Sequence, residues 1–221
     1  MDWLSYSPAD LVPFSQAAWR GVMSGYNQDH LPLVAAGVAL GLLLLWLTAR
    51  PSGWRLRLSL GVLGACWLWI AWGFFHRAVG PLLWAADWLA WGFAAQGIFL
   101  LLATLLPAQP AVSPRWPVSP AWWLLLLAAL VLPLIALAAG RPANVLGWVG
   151  TAPDPTVIAT LALAAMVPGR RGWLLLPVPL LWCAASATML AVFGDPLWWL
   201  PLAAVPIAAL AFARQKLGDG I

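Results

Sequence analysis

Long apolar runs alternate with short polar interruptions along this chain. At roughly 20 apolar residues per crossing of a 30 Å hydrocarbon layer, the runs predict helices near 31–49, 58–76, 81–106, 120–139, 145–167, 172–193 and 196–213. The fifth differs from the others, because "VLGWVGTAPDPTVIATLALAAMV" has its regular helical part only after Pro155. At 1.5 Å per residue that part is about 18 Å long, so the fifth span is expected to be short or broken. Ahead of the first run, "SPAD" offers Ser7 as an N-cap, Pro8 at the first helical position and Asp10 at the third, a helix-start signature. Trp19, Val22, Met23 and Tyr26 then fall on one face, which predicts an amphipathic helix over 7–26, lying on the membrane surface or capping the bundle.

Composition fixes the class. The 221 residues are 63% hydrophobic and 8% charged, with a mean hydropathy of +0.88, against roughly 25% charged residues in soluble domains. An all-α integral membrane protein is expected, and its 18 tryptophans suit helix ends at a lipid interface. Seven spans with the N-terminus outside place Arg50, Arg55, Arg57, Arg115, Arg170, Arg171, Arg214 and Lys216 inside, and Arg20, Arg77 and Arg141 outside. Six spans would leave four basic residues inside against seven outside. The positive-inside rule therefore predicts seven spans, N-out and C-in, in a bacterial cytoplasmic membrane. The expected order is a periplasmic segment 1–30, a bundle 31–214 and a cytoplasmic tail 215–221, with the Pro-rich stretch 107–120 as a stiff loop. The start lacks the basic and apolar regions of a cleavable signal peptide, so the N-terminus is expected to be retained, with the first span as targeting signal. The net charge of +4 does not imply nucleic acid, because the basic residues stand singly or in pairs between apolar runs.

Candidate chemistry concentrates in two stretches. In "FFHRAVGPLLWAADWLAWGFAAQG", residues 74–97, Asp87 lies in a stripe with Trp84, Trp88 and Trp91, and Trp69, Trp72 and His76 form a comparable stripe on the preceding span. Asp87 is expected about 9 Å below the outer end of its helix, a depth that disfavours ionisation without a partner. His76 is expected to lie too shallow for direct contact, leaving water, Arg77 or Arg141. Gln96, near mid-membrane, would bond another helix or a ligand. In "GTAPDPT", residues 150–156, Asp154 reads as an N-cap and Thr156 and Thr160 share a face. This is either a broken helix of the kind that holds solutes in transporters or a plain outer loop before a short span. Asp87, His76, Arg77, Arg141, Asp154 and Thr156 all fall in the outer half, so one periplasm-facing vestibule is expected to contain them.

Other chemistry is argued against. Cys66 and Cys183 lie inside apolar runs at similar depths and read as packing residues, with a soft-metal pair as the sharper alternative. No lysine lies within a span, which excludes a retinal Schiff base, and His30 and His76 sit at membrane edges, unsuited to a two-histidine haem. All seven acidic residues are Asp, and nucleophile elbows, zinc-protease motifs, P-loops and GxGxxG are absent. No cofactor is expected and enzymatic activity is disfavoured. The leading expectation is a small transporter or channel for a small solute or ion, with Asp87, His76, Gln96, Trp72, Trp84, Trp91, Asp154 and Thr156 as candidate binding residues. The alternative is a non-catalytic accessory or assembly subunit of a larger membrane complex, and the expected partners are the lipid bilayer and either further copies of the chain or such a complex.

Three pieces, "MDWLSYSPADLVPFSQAAWRGVMSGYN", the stretch at 74–97 and "GTAPDPTVIATLALA", cover roughly a third of the chain. On them the chain resembles an uncharacterised family of bacterial multi-pass inner-membrane proteins, a domain of unknown function. The resemblance implies a membrane bundle in which Phe75, His76, Gln96, Pro153, Pro155 and Thr156 are typical residues, and it implies no activity.

Overall fold

The structure, a computed structural model, describes residues 12–50, 52–106, 120–167 and 170–218. Among the described residues every regular element is a helix. The order is α1 (Gln16–Asp29), α2 (Leu31–Ala49), α3 (Gly53–Val79), α4 (Ala86–Leu105), α5 (120–138), α6 (Pro153–Ala164), the short α7 (Arg170–Leu174), α8 (Pro177–Val192) and α9 (Leu200–Gly218). Three of them, α2, α3 and α4, are long and apolar enough to cross a membrane.

Local chemistry explains the boundaries. Helix α1 starts at Gln16, where Ser15 Oγ accepts from Ala18 N at 3.2 Å; the expected start at Ser7 lies outside the described residues. α3 is longer at both ends than the 58–76 expected. Its first turns carry Arg55 and Arg57, whose side chains favour helix and reach the carbonyls of Arg50 and Leu106. Its last ten residues, Ile70–Val79, are π-helical. α3 stops ahead of Pro81, which cannot continue a helix, and α4 begins at Ala86 rather than 81, after residues 80–85 form turns closed by Leu82 N to Val79 O and Ala86 N to Leu83 O. The 172–193 span is divided at Pro177 for the same reason, into α7 and α8.

Cross-links define two ends of the bundle. At one, Arg57 Nη2 donates to Leu106 O at 2.8 Å, and the α7 glycine, Gly172, packs against the carbonyls of Ala164 and Val167. At the other, which carries α1, Asn27 Nδ2 donates to Asn144 O and Leu146 O at 2.8 and 3.0 Å. There Arg141 also pairs with Asp195. α1 presents the face expected of it: Met23 and Tyr26 are buried and Trp19 and Val22 pack on the core. α6 occupies the centre. Apart from Asp154 all of its side chains are buried, as a helix apolar on every side must be. An aromatic cluster of Trp67, Phe75, Phe93 and Trp182 joins α3, α4 and α8, with ring centroids 4.4 to 5.2 Å apart.

Candidate functional site

The break before α6 turns inward. Gly150 has φ +84°, and a Cβ there would lie 2.8 Å from Cys66 Sγ and 3.0 Å from Leu40 Cδ1. Leu40 and Cys66 stand at the midpoints of α2 and α3, so the turn sits half-way between the two ends of the bundle. Gly37 of α2 makes room for it, since a Cβ at that position would lie 2.7 Å from Trp148 Cβ. Irregular backbone away from water must satisfy its own polar groups. Thr156 does this: its hydroxyl donates to Ala152 O and accepts from Gly150 N, both at 2.8 Å. Thr160 Oγ1 donates to Thr156 O and accepts from Trp67 Nε1, again both at 2.8 Å. The two threonines share a face, as their spacing predicted, but they close the turn and anchor a tryptophan.

Asp154 occupies the first turn of α6, and the residue at the N-cap is Ala152. The N-cap role expected of Asp154 is thereby corrected: Pro153 already has helical geometry, and the carboxylate is free to leave the helix. It faces the positive end of the helix dipole and reaches α8, where Oδ1 accepts from Trp182 Nε1 at 2.8 Å. Ser186, one turn further along α8, is fully buried, and its hydroxyl lies beside this carboxylate without the geometry of a hydrogen bond.

A cavity of about 80 Å³ runs from under α1 to this carboxylate, lined among others by Trp19, Arg20, Arg141, Asp154, Trp182 and Asp195. At about 10–15 Å³ of such volume per water it holds several waters or one small ion or molecule. Its wall carries an ion pair between half-buried Arg141 and buried Asp195, Nη2 to Oδ2 at 2.9 Å, and Asp195 Oδ1 also accepts from Leu197 N at 2.9 Å. The floor carboxylate, by contrast, accepts from an indole N–H, and among the described residues it has no ion pair within 4 Å. Asp195, Arg20 and Trp182 were not singled out from sequence. "FGDP" reads as an ordinary turn, and Trp182 is one tryptophan among 18.

The remaining candidates lie elsewhere. His76 Nδ1 and Asp87 Oδ1 are 2.8 Å apart, with side chains 58% and 63% exposed. Both expectations about this pair are corrected: the late start of α4 puts Asp87 in its first turn, not inside the bundle, and the π-helical end of α3 carries His76 up to meet it. Trp84 and Trp91 are also exposed, at 81% and 73%. Gln96 is buried and donates to Leu175 O at 3.1 Å, a tie between α4 and the α7–α8 connection. The expected single vestibule is corrected too: of the six residues assigned to it, Arg141 and Asp154 line the cavity, and Thr156, in α6, closes the turn behind it. Trp72 and Arg77 instead line a second groove, of about 370 Å³, with Tyr26, Asp29 and His30. Trp69 Nε1 donates to Tyr26 Oη at 2.7 Å; burial pushes the Tyr26 phenol up to about 12, against a smaller lowering by that bond. Cys66 and Cys183 are buried and free, and among the described residues no three His, Cys, Asp or Glu side chains are grouped to hold a metal.

Compared with known proteins, residues 16–219 match one family, described as "Family of unknown function (DUF6064)". No curated protein and no solved structure matches the chain.

Proposed function

The chain belongs to this family of unknown function, so its activity must be read from its own residues, and we propose a multi-pass inner-membrane protein that moves a small solute or ion through the vestibule ending at Asp154. Membrane embedding is supported by the three long apolar helices and by an outer surface that exposes Trp84, Trp88, Trp91, Leu105 and Leu181 at 71–81%, an apolar coat that water would penalise. Seven crossings follow if α6 and the turn leading into it cross together. Arg50, Arg55, Arg57, Arg170, Arg171 and Arg214 then belong to one end, and Arg20, Arg77 and Arg141 to the α1 end. By the positive-inside rule the α1 end is outside.

The observation that carries transport is Asp154. In this reading an ionisable group lies half-way across the membrane, on the floor of a cavity lined by Arg20 at its outer end, beside a helix that begins at that depth. Non-helical backbone at such depth is tolerated where protein or a water-filled cavity surrounds it, and discontinuous helices of this kind build midplane binding sites. Intramembrane carboxylates are functional candidates by default. The test is charge movement or uptake by the full chain in proteoliposomes, offered monovalent cations, amino acids and small organic amines. At least one class is expected to give a signal that Asp154→Asn reduces tenfold or more while the protein stays monodisperse. Undiminished transport in Asp154→Asn, or silence across the panel in wild type, would sink the reading.

The exposed row Trp84, Trp88 and Trp91 favours one other reading, an accessory subunit that docks this face on a larger membrane complex. A partner recovered at fixed stoichiometry and lost in Trp88→Ala would favour it.

A further inference from the structure

The second groove, between α1 and the π-helical end of α3, carries an inference that rests on the membrane reading but not on transport. Asp29 and Arg77 come from different helices and line it together. They are not an ion pair, since the pairs within 4 Å among the described residues are His76 with Asp87 and Arg141 with Asp195. Arg77 instead lies over the Trp72 ring, 5.3 Å from its centroid. Two exposed opposite charges that share a groove without neutralising each other complement a ligand that carries both.

The detail around each charge narrows the ligand. Guanidinium groups bind phosphate oxygens through paired N–H donors, so Arg77 marks the anionic end. His30 Nδ1 contacts Tyr26 O at 2.9 Å; a carbonyl only accepts, so in the neutral ring Nδ1 carries the hydrogen and Nε2 is an acceptor. His30 Nε2 and the Asp29 carboxylate are two acceptors in a groove also lined by Tyr26 and Trp72, a setting for a primary ammonium. At about 370 Å³ the groove is of ligand size and too large for a single ion. Trp72, which lines it, is 51% exposed, and Leu31, which follows the lining His30 in the chain, is 63% exposed, apolar surface of the kind that acyl chains and interfacial aromatics share.

We propose that this groove binds the headgroup of an ethanolamine phospholipid, the phosphate at Arg77 and the ammonium at Asp29 and His30. The test is native mass spectrometry of the full chain, extracted from nanodiscs holding equal parts of phosphatidylethanolamine, phosphatidylcholine and phosphatidylglycerol. Wild type is expected to retain one phosphatidylethanolamine in preference to the others. Arg77→Gln should lower that retention at least fivefold, and Asp29→Asn should erase the preference over phosphatidylglycerol. Gly25→Leu supplies a plug: Gly25 lines the groove and a Cβ there meets nothing within 4 Å, so the variant should fold and lose the lipid. Asp29 is exposed, so Asp29→Asn carries the test if the plug disturbs α1. Equal retention of the three lipids by wild type, or retention unchanged in Arg77→Gln and Asp29→Asn, would overturn the proposal. Binding of soluble O-phosphoethanolamine with no lipid preference would overturn the lipid source. A chain recovered in the soluble fraction would instead remove the membrane reading beneath it.

Discussion

At Gly150 two separate costs fall on any side chain. A non-glycine residue held at φ +84° costs about 1–3 kcal/mol, and its Cβ would press on Cys66 Sγ and Leu40, an overpacking term of about 1–3 kcal/mol. Gly140 has the same φ with nothing within 4 Å of a Cβ, so it isolates the backbone term. Gly150→Ala is expected to destabilise the protein by about 1–3 kcal/mol more than Gly140→Ala, read from denaturant unfolding of the purified variants. Equal losses would mean that the turn is not seated against α3. The same residues show what sequence can and cannot give. "GTAPDPT" was visible as a break because Gly and Pro announce a backbone change without reference to anything else. Which way it turned was not visible, since that depends on Gly37 and Cys66, more than 80 residues away. Asp87 was misplaced by the converse error, starting its helix at Pro81, whereas α3 ends at Val79 and six residues separate it from the start of α4 at Ala86.

Among the polar ties that hold elements together at the α1 end, two make predictions. Tyr26 docks α1 on α3 through Trp69. Below pH 10 the phenol is neutral in the folded and unfolded chain alike. Between 10 and about 12 the unfolded chain releases a proton that the folded chain keeps, so stability falls as pH rises, by about 2 kcal/mol over that window. Tyr26→Phe removes the linkage, and the melting-temperature difference between wild type and this variant should shrink or reverse between pH 9.5 and 11.5. A pH-independent difference would place Tyr26 in a more solvated setting. The second tie, Arg141 with Asp195, joins the α5–α6 connection to the α8–α9 turn. Removing Arg141 alone strands a carboxylate whose side chain is 6% exposed, a loss of about 3–5 kcal/mol, so Arg141→Ala should be less stable than the double variant Arg141→Ala/Asp195→Ala. The reverse order would mean that water reaches Asp195. Neither tie was legible in sequence, because pairs 43 and 54 residues apart have no spacing signature. The helices themselves were, wherever an apolar run exceeded the interruptions flanking it.

For the whole molecule, α6 decides how many times the chain of the proposed membrane reading crosses. Its 12 residues span about 18 Å, short of the 30 Å hydrocarbon layer. The turn at Gly150 packs at the level of Leu40 and Cys66, so in the proposed seven-span arrangement residues 141–152 would cover the outer half and α6 the inner. The basic residues agree with that division, and they were readable in sequence because the charge count of a loop needs no packing to define it. The two alternatives differ in one observable. If 145–167 crosses, residues 140 and 170 face opposite compartments; if it does not, they face the same one. Gly140 and Arg170 are both exposed, and the native cysteines are buried, so a single introduced thiol reports its own side. Gly140→Cys should react with a membrane-impermeant maleimide in intact cells, and Arg170→Cys only after permeabilisation. Reaction of both in intact cells would mean that α6 returns to the side it came from, which reverses the last two helices and puts Arg170, Arg171 and Arg214 outside. That result would also leave Asp154 at the bottom of a hairpin instead of on a path through the membrane, and transport through it would have to be abandoned.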